Sequence, residues 1–449
     1  MKKKTVQKFQ HRKPDNSLKN PWLFAGVLLP ITFIVFSPAL FNEFVNWDDY
    51  NYIRDNPLLQ DFSLNTIRHL FNFGTFVMGN YHPFTMLSYL AEYHFAGSSP
   101  FLYHFDNIIL HLFNVALISV LIWKLTGKYY ATLIAAALFA LHPMRVESVV
   151  WAAERKDVLY AFFYLVSIIA YTYYIRSSEK RYVYYTVSLL VFLFSLLSKG
   201  QAVVLPLTFF LVDYWYGKKI DFKSVASKIP FLALSVFFGI LAINAQSSSL
   251  TSQRLISYTF GERIVFAAYN LVAYLYKLIY PYDLACYYGY PDESGMKLIY
   301  AGALLAVGIM AFVFLRFRKN KAVMFGTLFF LATIFIVIQL LPVGNAIIAD
   351  RYTYIPYIGL FFIIALLLDP LLSTGSLKRR RIAGALIGLQ LLVFAVASFS
   401  QAKTWKNNET LWLRAIDNEP EQGMPYNNLG IYLMEQKKYD TAILLLNRS

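Results

Sequence analysis

Long apolar runs separated by short polar segments recur along almost the whole chain. A helix needs about 20 mostly apolar residues to cross the hydrocarbon core of a bilayer. Eleven segments meet this requirement: 23–41, 105–123, 130–149, 158–175, 182–198, 201–216, 229–245, 297–315, 323–341, 353–369 and 382–400. A twelfth segment, 263–280, is ambiguous because Arg263, Asn270 and Lys277 recur at spacings of seven, near one helix face. The pattern therefore predicts an all-α polytopic membrane protein with a bundle of about eleven transmembrane helices.

Composition and charge agree with a membrane protein and argue against a nucleic-acid-binding one. Of the 449 residues 57% are hydrophobic and 15% are charged, whereas soluble proteins carry about 25% charged residues. The net charge of +15 comes from short Lys/Arg clusters between apolar runs, as in cytoplasmic loops. There is no zinc-type Cys/His spacing and no long basic face. The single cysteine, Cys286, excludes an intrachain disulfide framework.

The basic clusters predict the orientation of the chain in the membrane. Positive residues mark cytoplasmic segments, and strong clusters occur near the start of the chain and at 218–219, 316–319 and 378–381. All of them lie on one side if 263–280 is an interfacial or re-entrant helix rather than a full span. We therefore expect a cytoplasmic N-terminus, an outer C-terminus, and a basic tail over 1–22 that leads into a retained signal anchor.

This topology divides the chain into three parts. The tail 1–22 is cytoplasmic, 23–400 forms the transmembrane domain, and 401–449 is an outer helical tail. Loop 42–104 is the first outer loop, and its apolar residues recur at the spacing of short amphipathic helices. In the tail, 425–433 and 439–443 follow a tetratricopeptide pattern in which Gly430 and Ala442 allow close helix approach. An unrelated helical hairpin is the alternative.

Titratable residues stand at the predicted outer ends of several spans. Asp48 and Asp49 follow the first span, where carboxylates are costly unless they have a role, although two adjacent acids also occur in ordinary solvated turns. Lys199, Asp350 and Arg351 are further candidates at span ends. For Lys199 the alternative to a functional role is a side chain that extends to the membrane interface, and for Asp350 and Arg351 it is a structural ion pair. Charged loop 142–157 contributes further candidates. The histidines have no HxH or HExxH spacing, so no metal site is predicted.

The absence of other motifs narrows the chemistry. The sequence contains no nucleotide-phosphate loop, dinucleotide fingerprint, HExxH or GxSxG motif. An outer cavity with a carboxylate base and several cations suits transfer of a group from a lipid phosphate to an acceptor hydroxyl. The carboxylate takes the hydroxyl proton, and Arg or Lys stabilises the phosphate that leaves.

An ordered set of short motifs covers nearly the whole chain. On these motifs the chain resembles bacterial relatives of the transmembrane and tetratricopeptide-repeat O-mannosyltransferases, within the GT-C class of polyprenyl-phosphate-sugar-dependent glycosyltransferases. The motifs are Trp47-Asp48-Asp49-Tyr50, Arg54-Asp55-Asn56-Pro57, Tyr81-His82-Pro83-Phe84-Thr85, Tyr103-His104 through His111, His142-Pro143 with Val146-Glu147, Glu154-Arg155-Lys156-Asp157-Val158-Leu159, Ser198-Lys199-Gly200-Gln201, Asp350-Arg351-Tyr352-Thr353-Tyr354-Ile355-Pro356, and the segment from Trp405 to Ala442.

The resemblance implies inverting transfer of a sugar, with mannose expected, from a polyprenyl phosphate to a protein or glycan hydroxyl. It places the enzyme in a bacterial inner membrane and implies no cofactor, although a divalent metal is not excluded. The motif here is Asp-Asp where the class has Asp-Glu, which leaves open which acid acts. The implied roles are Asp48 as preferred base with Asp49 and Glu147 as further catalytic candidates, Arg155, Lys199 and Arg351 as donor-phosphate ligands, and His82, His142, Asp157, Asp350 and Tyr352 as other cavity residues.

Two functions from other classes stay open on the sequence alone. A transporter or flippase of lipid-linked sugars also uses buried charges at broken helices, but its charges should lie near the bilayer midplane. A non-catalytic scaffold would recruit partners through the tail and would tolerate replacement of Asp48 and Asp49.

Overall fold

The computed structural model describes residues 21–247, 258–291, 295–340 and 346–449, with side chains from residue 26 onward. Within these ranges the chain is helical, and β-structure is limited to two isolated bridges. The predicted tail 1–22 lies almost entirely outside the described residues. The helices are α1 Pro21–Phe36, α2 Leu64–Leu70, α3 Pro83–Ala96, α4 Pro100–Thr126, α5 Tyr129–Leu141, α6 Val146–Val150, α7 Arg155–Arg176, α8 Arg181–Ser198, α9 Leu205–Trp215, α10 Phe222–Ala226, α11 Ile229–Ser247, α12 Phe260–Ile279, α13 Met296–Phe317, α14 Lys321–Ile334, α15 Tyr357–Ser373, α16 Leu377–Thr404, α17 Asn408–Asn418, α18 Gly423–Glu435 and α19 Tyr439–Leu446.

The apolar helices coincide with the eleven predicted segments. Within the described ranges, six helices are long and apolar enough to cross a membrane, and α5 with the segment Pro143–Val150 forms a further candidate that is bent by 61°. Four shorter apolar helices occupy the remaining predicted positions: Gly26–Phe41, Gly200–Trp215, Lys321–Ile334 and Tyr357–Ser373. The all-α fold is confirmed and the chain is an integral membrane protein. The number of segments that cross the bilayer stays a prediction.

Burial separates central helices from peripheral ones. Within its most apolar 18-residue window, the segment Ala152–Arg176 is 61% buried and α4 is 50% buried, whereas α13 and α16 are each 11% buried. The central helix α7 packs against α4, α8 and α9, while α1 packs against α4, α5 and α16. The peripheral helix α16 exposes Leu386, Leu389 and Val396, as expected for a surface that faces lipid tails.

Helices α14 and α15 cross at a pair of glycines. A Cβ on Gly326 would lie 2.3 Å from the carbonyl oxygen of Gly359, and a Cβ on Gly359 would lie equally close to that of Gly326. Small residues allow such close backbone approach between helices in a bilayer. This contact brings α15 against the bundle and fixes the segment that precedes it, which contains Asp350 and Arg351.

The ambiguous segment 263–280 forms α12, which is not among the apolar helices suited to cross a membrane. Its polar residues Asn270 and Lys277 point inward: the amide of Asn270 donates to the carbonyl of Ile347, and Nζ of Lys277 donates to the hydroxyl of Tyr288. These partners lie in loops at the same end of the bundle as Asp48. Whether α12 is interfacial or re-entrant stays a prediction.

Helices α18 and α19 of the tail form a hairpin with the close approach that the sequence predicts. A Cβ on Gly430 would lie 2.7 Å from Cγ of Leu446 and 3.4 Å from the carbonyl oxygen of Ala442, which is itself fully buried. Helices α18 and α19 therefore pack without space for a larger residue at Gly430. The assignment of this hairpin to the tetratricopeptide class stays a prediction, as do the domain boundaries.

Candidate functional site

Asp49 connects residues 42–50, which we call the acidic loop, to the turn that precedes α7. Its Oδ2 accepts from the backbone N–H of Val45 at 2.9 Å, and its Oδ1 accepts from that of Ala153 at 2.7 Å. The residue is 1% exposed, and burial raises the pKa of its carboxyl from 3.8 to about 7 even though both N–H donors oppose the shift. Asp49 thus joins two segments that are distant in sequence, and the N–H groups of Val45 and Ala153 engage both of its oxygens.

Asp48 has a different environment from its neighbour. Its side chain is 20% exposed, and its Oδ2 lies 3.8 Å from Nζ of Lys156. Burial raises the pKa of Asp48 above its ordinary value, and the charge of Lys156 partly opposes this. A partly exposed carboxylate whose pKa is raised is a better proton acceptor than one with the ordinary pKa.

A network of acids and bases extends from Asp48 into the bundle end. Glu154, which is 2% exposed, is its centre: its Oε1 lies 3.3 Å from Lys156 Nζ and 3.3 Å from Arg351 Nε. Its Oε2 lies 3.2 Å from Lys199 Nζ. Three cations therefore converge on one carboxylate. We call Asp48, Glu147, Glu154, Lys156, Asp157, Lys199 and Arg351 the charged network.

The remaining acids of the charged network each engage one of these cations. Glu147 accepts from the guanidinium of Arg351 and, at 2.8 Å, from its backbone N–H. Asp157 accepts from Lys199 Nζ at 2.5 Å and from the hydroxyl of Ser148 at 2.9 Å. The elements that carry these residues are the end of the acidic loop, the bend between α5 and α7, the first turn of α7, the end of α8 and the turn before α15.

Three further predicted residues border the charged network. His82 is buried against the ring of Tyr52, and its pKa is lowered to about 3 by burial first and then by the charges of Lys156 and Lys199. Asp350 accepts from the hydroxyl of Tyr288 at 3.1 Å and lies 3.8 Å from Lys277 Nζ. The ring of Tyr352 lies beside Arg351, with 5.0 Å from the guanidinium carbon to the ring centre.

Two predicted residues lie apart from the charged network. Arg155 is buried and its guanidinium donates to Glu92, to Asn107 and to the carbonyl of Tyr103. Nε2–H of His142 donates to the carbonyl of Leu278, and its ring packs on the ring of Phe394. Both side chains connect helices within the packed bundle, so we do not include them in the mechanism proposed below.

Glu154 and Lys156 belong to the charged network although the sequence analysis gave neither a role. Both stand in the motif Glu154-Arg155-Lys156-Asp157, which drew attention as a whole. Adjacent helix residues point about 100° apart, so only one of Arg155 and Lys156 can face Asp48. The sequence carries no signal for which of the two faces Asp48, because this depends on how α7 is rotated within the bundle.

The arrangement can perform proton abstraction and stabilise an anion. Asp48 has a raised pKa at the edge of the charged network. Lys156 lies next to it, and Lys199 and Arg351 are connected to Lys156 through Glu154. Among the residues that the structure describes, no three His, Cys, Asp or Glu side chains are grouped to hold a metal ion. A metal-independent reaction nevertheless stays a prediction.

Comparisons of the sequence find distant relatives over most of the chain. No family model matches. The protein O-mannosyl-transferase TMTC3 of Homo sapiens is 23% identical over 406 aligned positions, covering 81% of this chain and 44% of that protein. TMTC4 of Homo sapiens is 22% identical over 495 aligned positions, covering 95% of this chain and 66% of that protein. The chain thus spans only about half to two thirds of the length of these relatives.

Comparison of the structure gives the fold. The oligosaccharyltransferase of Archaeoglobus fulgidus in its apo form matches 86% of this chain and 56% of its own chain, with a TM-score of 0.52 and 15% sequence identity. At this identity the match concerns the fold alone. The resemblance stated from the sequence motifs is confirmed: the protein is a distant sequence relative of the TMTC protein O-mannosyltransferases, and its fold is of the GT-C type.

Proposed function

We propose that the protein is an inverting membrane glycosyltransferase that moves mannose from a polyprenyl phosphate to a hydroxyl of a protein acceptor. Asp48 acts as the general base on the acceptor hydroxyl, and Lys156, Lys199 and Arg351 stabilise the departing phosphate. The relatives' names, protein O-mannosyl-transferase, support the sugar and the acceptor class. Attack by the hydroxyl oxygen forms the new glycosidic bond, the bond from sugar to phosphate oxygen breaks, and Asp48 receives the hydroxyl proton.

The observation that carries this proposal is the difference between the two adjacent aspartates. Asp49 uses both oxygens on backbone N–H groups. The side chain of Asp48 is partly exposed and lies beside Lys156, one of the three cations that converge on Glu154. A lipid-linked donor explains why such a site belongs at the end of a membrane bundle, since the donor's hydrocarbon chain remains in the bilayer. The same position at helix ends, rather than midway along the helices, does not favour a flippase.

We further propose that the charged network faces the outer side of a bacterial inner membrane. The basic cluster 218–219 follows α9, and the cluster 316–319 lies at the end of α13. The cluster 378–381 lies at the start of α16. Each of these points lies at the helix end opposite to the one that approaches the charged network. Positive residues favour the cytoplasmic side, so the charged network lies outside, together with the C-terminal tail.

Purified protein reconstituted in lipid vesicles is expected to transfer mannose from a short-chain polyprenyl-phospho-mannose to Ser/Thr-containing peptides. Radiolabelled mannose on the peptide measures transfer, and the anomeric configuration of the product tests inversion. The same vesicles, assayed for movement of a fluorescent lipid-linked sugar between leaflets, test the transporter alternative. Lipid movement without peptide labelling would overturn the proposal in favour of a flippase. The absence of both activities would overturn it in favour of a scaffold.

The buried pair of Arg155 and Glu92 gives a prediction that separates packing from donor binding. Removing one partner of a buried ion pair costs about 3–5 kcal/mol, because the other charge is left uncompensated. Arg155→Met and Glu92→Gln are therefore each expected to lower the thermal unfolding temperature strongly. The double variant is expected to regain most of this stability and to keep the KM for the lipid donor within about twofold of wild type.

The donor KM of that double variant decides the role of Arg155. Restored stability with a donor KM raised about tenfold or more would mean that Arg155 binds the donor phosphate, as the sequence resemblance implied. An unchanged donor KM would restrict Arg155 to the connection between α3, α4 and α7.

A further inference from the structure

One asparagine of the acidic loop makes three hydrogen bonds to the helical tail. The backbone N–H of Asn46 donates to Oδ1 of Asn408 at 2.6 Å, and its side-chain amide donates to the carbonyl of Asn428 at 3.0 Å. Its Oδ1 accepts from the indole N–H of Trp412 at 2.6 Å. All three partners belong to α17 and α18, and Asn46 stands two residues before Asp48.

Aromatic packing continues this connection on the next residue. The Trp47 ring lies between the rings of Trp412 and Trp151, at centroid distances of 5.2 and 5.1 Å. Trp151 in turn contacts Trp405 at 5.4 Å. Trp412, Trp151 and Trp405 are almost completely buried, so the stack links the tail, the acidic loop and the segment that leads into α7.

The tail is also anchored on its other side. The side-chain amide of Asn418 donates to the carbonyl of Asp283 at 3.0 Å, and that of Gln422 donates to the carbonyl of Tyr290 at 3.1 Å. In addition, Asn408 donates to the hydroxyl of Tyr50 at 2.9 Å. Helix α17 therefore spans from the loop after α12 to the acidic loop, and it is held at both.

We infer that α17 and α18 form a brace that positions Asp48, with Asn46 as the positioning residue. This inference rests on the proposed function. Asp49 is hydrogen-bonded to Ala153, and Asn46 is hydrogen-bonded to the tail. The two residues between these anchors, Trp47 and Asp48, therefore have their backbone held on both sides. The first helical units of the tail are thereby part of the catalytic structure and not only a surface for partners.

The brace predicts a specific kinetic effect. The proposed donor-phosphate ligands Lys156, Lys199 and Arg351 make their ion pairs with Glu154, and no hydrogen bond of Asn46 reaches them. Removing the hydrogen bonds of the Asn46 side chain should therefore displace the base and leave those cations in place. A displacement of about 1 Å at a reacting group lowers rates by up to about a hundredfold. Trp412→Phe keeps an aromatic ring, although a smaller one, and removes the N–H donor to Asn46. Asn46→Ala removes the hydrogen bonds of the Asn46 side chain.

In the reconstituted full-length protein we expect Asn46→Ala to lower kcat by about tenfold to a hundredfold and to leave the donor KM within about twofold. Trp412→Phe should lower kcat by less. The matched control is Asn418→Ala, which breaks a hydrogen bond between the same tail and a different loop. It should lower kcat much less than Asn46→Ala does, because every contact of Asn46 remains in place.

The thermal unfolding temperature of all three variants distinguishes positioning from stability. The inference is overturned if Asn46→Ala keeps wild-type kcat, or if Asn46→Ala and Asn418→Ala lose kcat in proportion to the same loss of stability. Failure of the proposed function looks different, because Asp48→Asn would then retain full transfer activity. An inactive Asp48→Asn beside a fully active Asn46→Ala would sink the brace alone.

Discussion

Replacing Asp48 with asparagine is expected to lower the rate of sugar transfer by about 10²- to 10⁴-fold, which is the usual contribution of a positioned general base. Asparagine keeps the size and polarity of the side chain but cannot accept the acceptor's proton. The loss should appear in kcat, while the donor KM stays near wild type because Lys199 and Arg351 are untouched.

The stability of this variant should move in the opposite direction to its activity. Burial raises the pKa of Asp48, which means that the environment disfavours the ionised carboxylate. Removing that charge should therefore leave the thermal unfolding temperature unchanged or slightly higher. A group retained in spite of an unfavourable environment is typical of functional sites.

Two comparison variants give the Asp48 experiment its specificity. Asp55→Asn changes an exposed acid of the same loop, which pairs only with Arg54, and should have full activity. Asp49→Asn should lose stability, because an amide cannot accept from both Val45 and Ala153 as the carboxylate does. Full activity of Asp48→Asn beside a stable but inactive Asp49→Asn would transfer the role of base to Asp49.

Much of the fold follows from the apolar pattern because a bilayer imposes one length and one composition on every span. Each of the eleven predicted segments coincides with an apolar helix. The exceptional segment 263–280 was recognisable through Asn270 and Lys277, which reach loop partners in the structure. Gly430 likewise indicates close packing of the tail hairpin, and in the structure a Cβ at this position would collide with Leu446.

The parts of the site that escaped prediction depend on helix rotation and on long-range docking. Arg155 and Lys156 are adjacent and chemically alike in sequence, yet the rotation of α7 directs one to Glu92 and the other to Asp48. The contacts of Asn46 with Asn408 and Trp412 join residues more than 360 positions apart. Neither spacing nor composition contains that information, because it arises only when the tail packs on the bundle.

Replacing Lys199 with methionine is expected to lower kcat/KM for the lipid donor by about 10²- to 10³-fold, the range seen when one stabilising donor is removed from a developing negative charge. Lys199 follows α8, its side chain is 18% exposed, and its Nζ joins Glu154 at 3.2 Å to Asp157 at 2.5 Å. A departing phosphate can compete for this ammonium group, since it also offers anionic oxygens. Lys199→Arg should retain part of the rate, because it keeps the charge but alters the geometry.

A structural ion pair would give the same single-variant result, so a double variant is needed to decide. Lys199→Met leaves Asp157 and Glu154 short of one cation, which destabilises the bundle end. Lys199→Met with Asp157→Asn removes both charges of the closest pair and should regain thermal stability. If Lys199 stabilises the leaving phosphate, this stable double variant remains as slow as Lys199→Met. As a control, Lys403→Met changes an exposed lysine at the end of α16 and should match wild type in both measurements. Recovery of transfer together with stability in the double variant would instead mean that Lys199 has only a structural role.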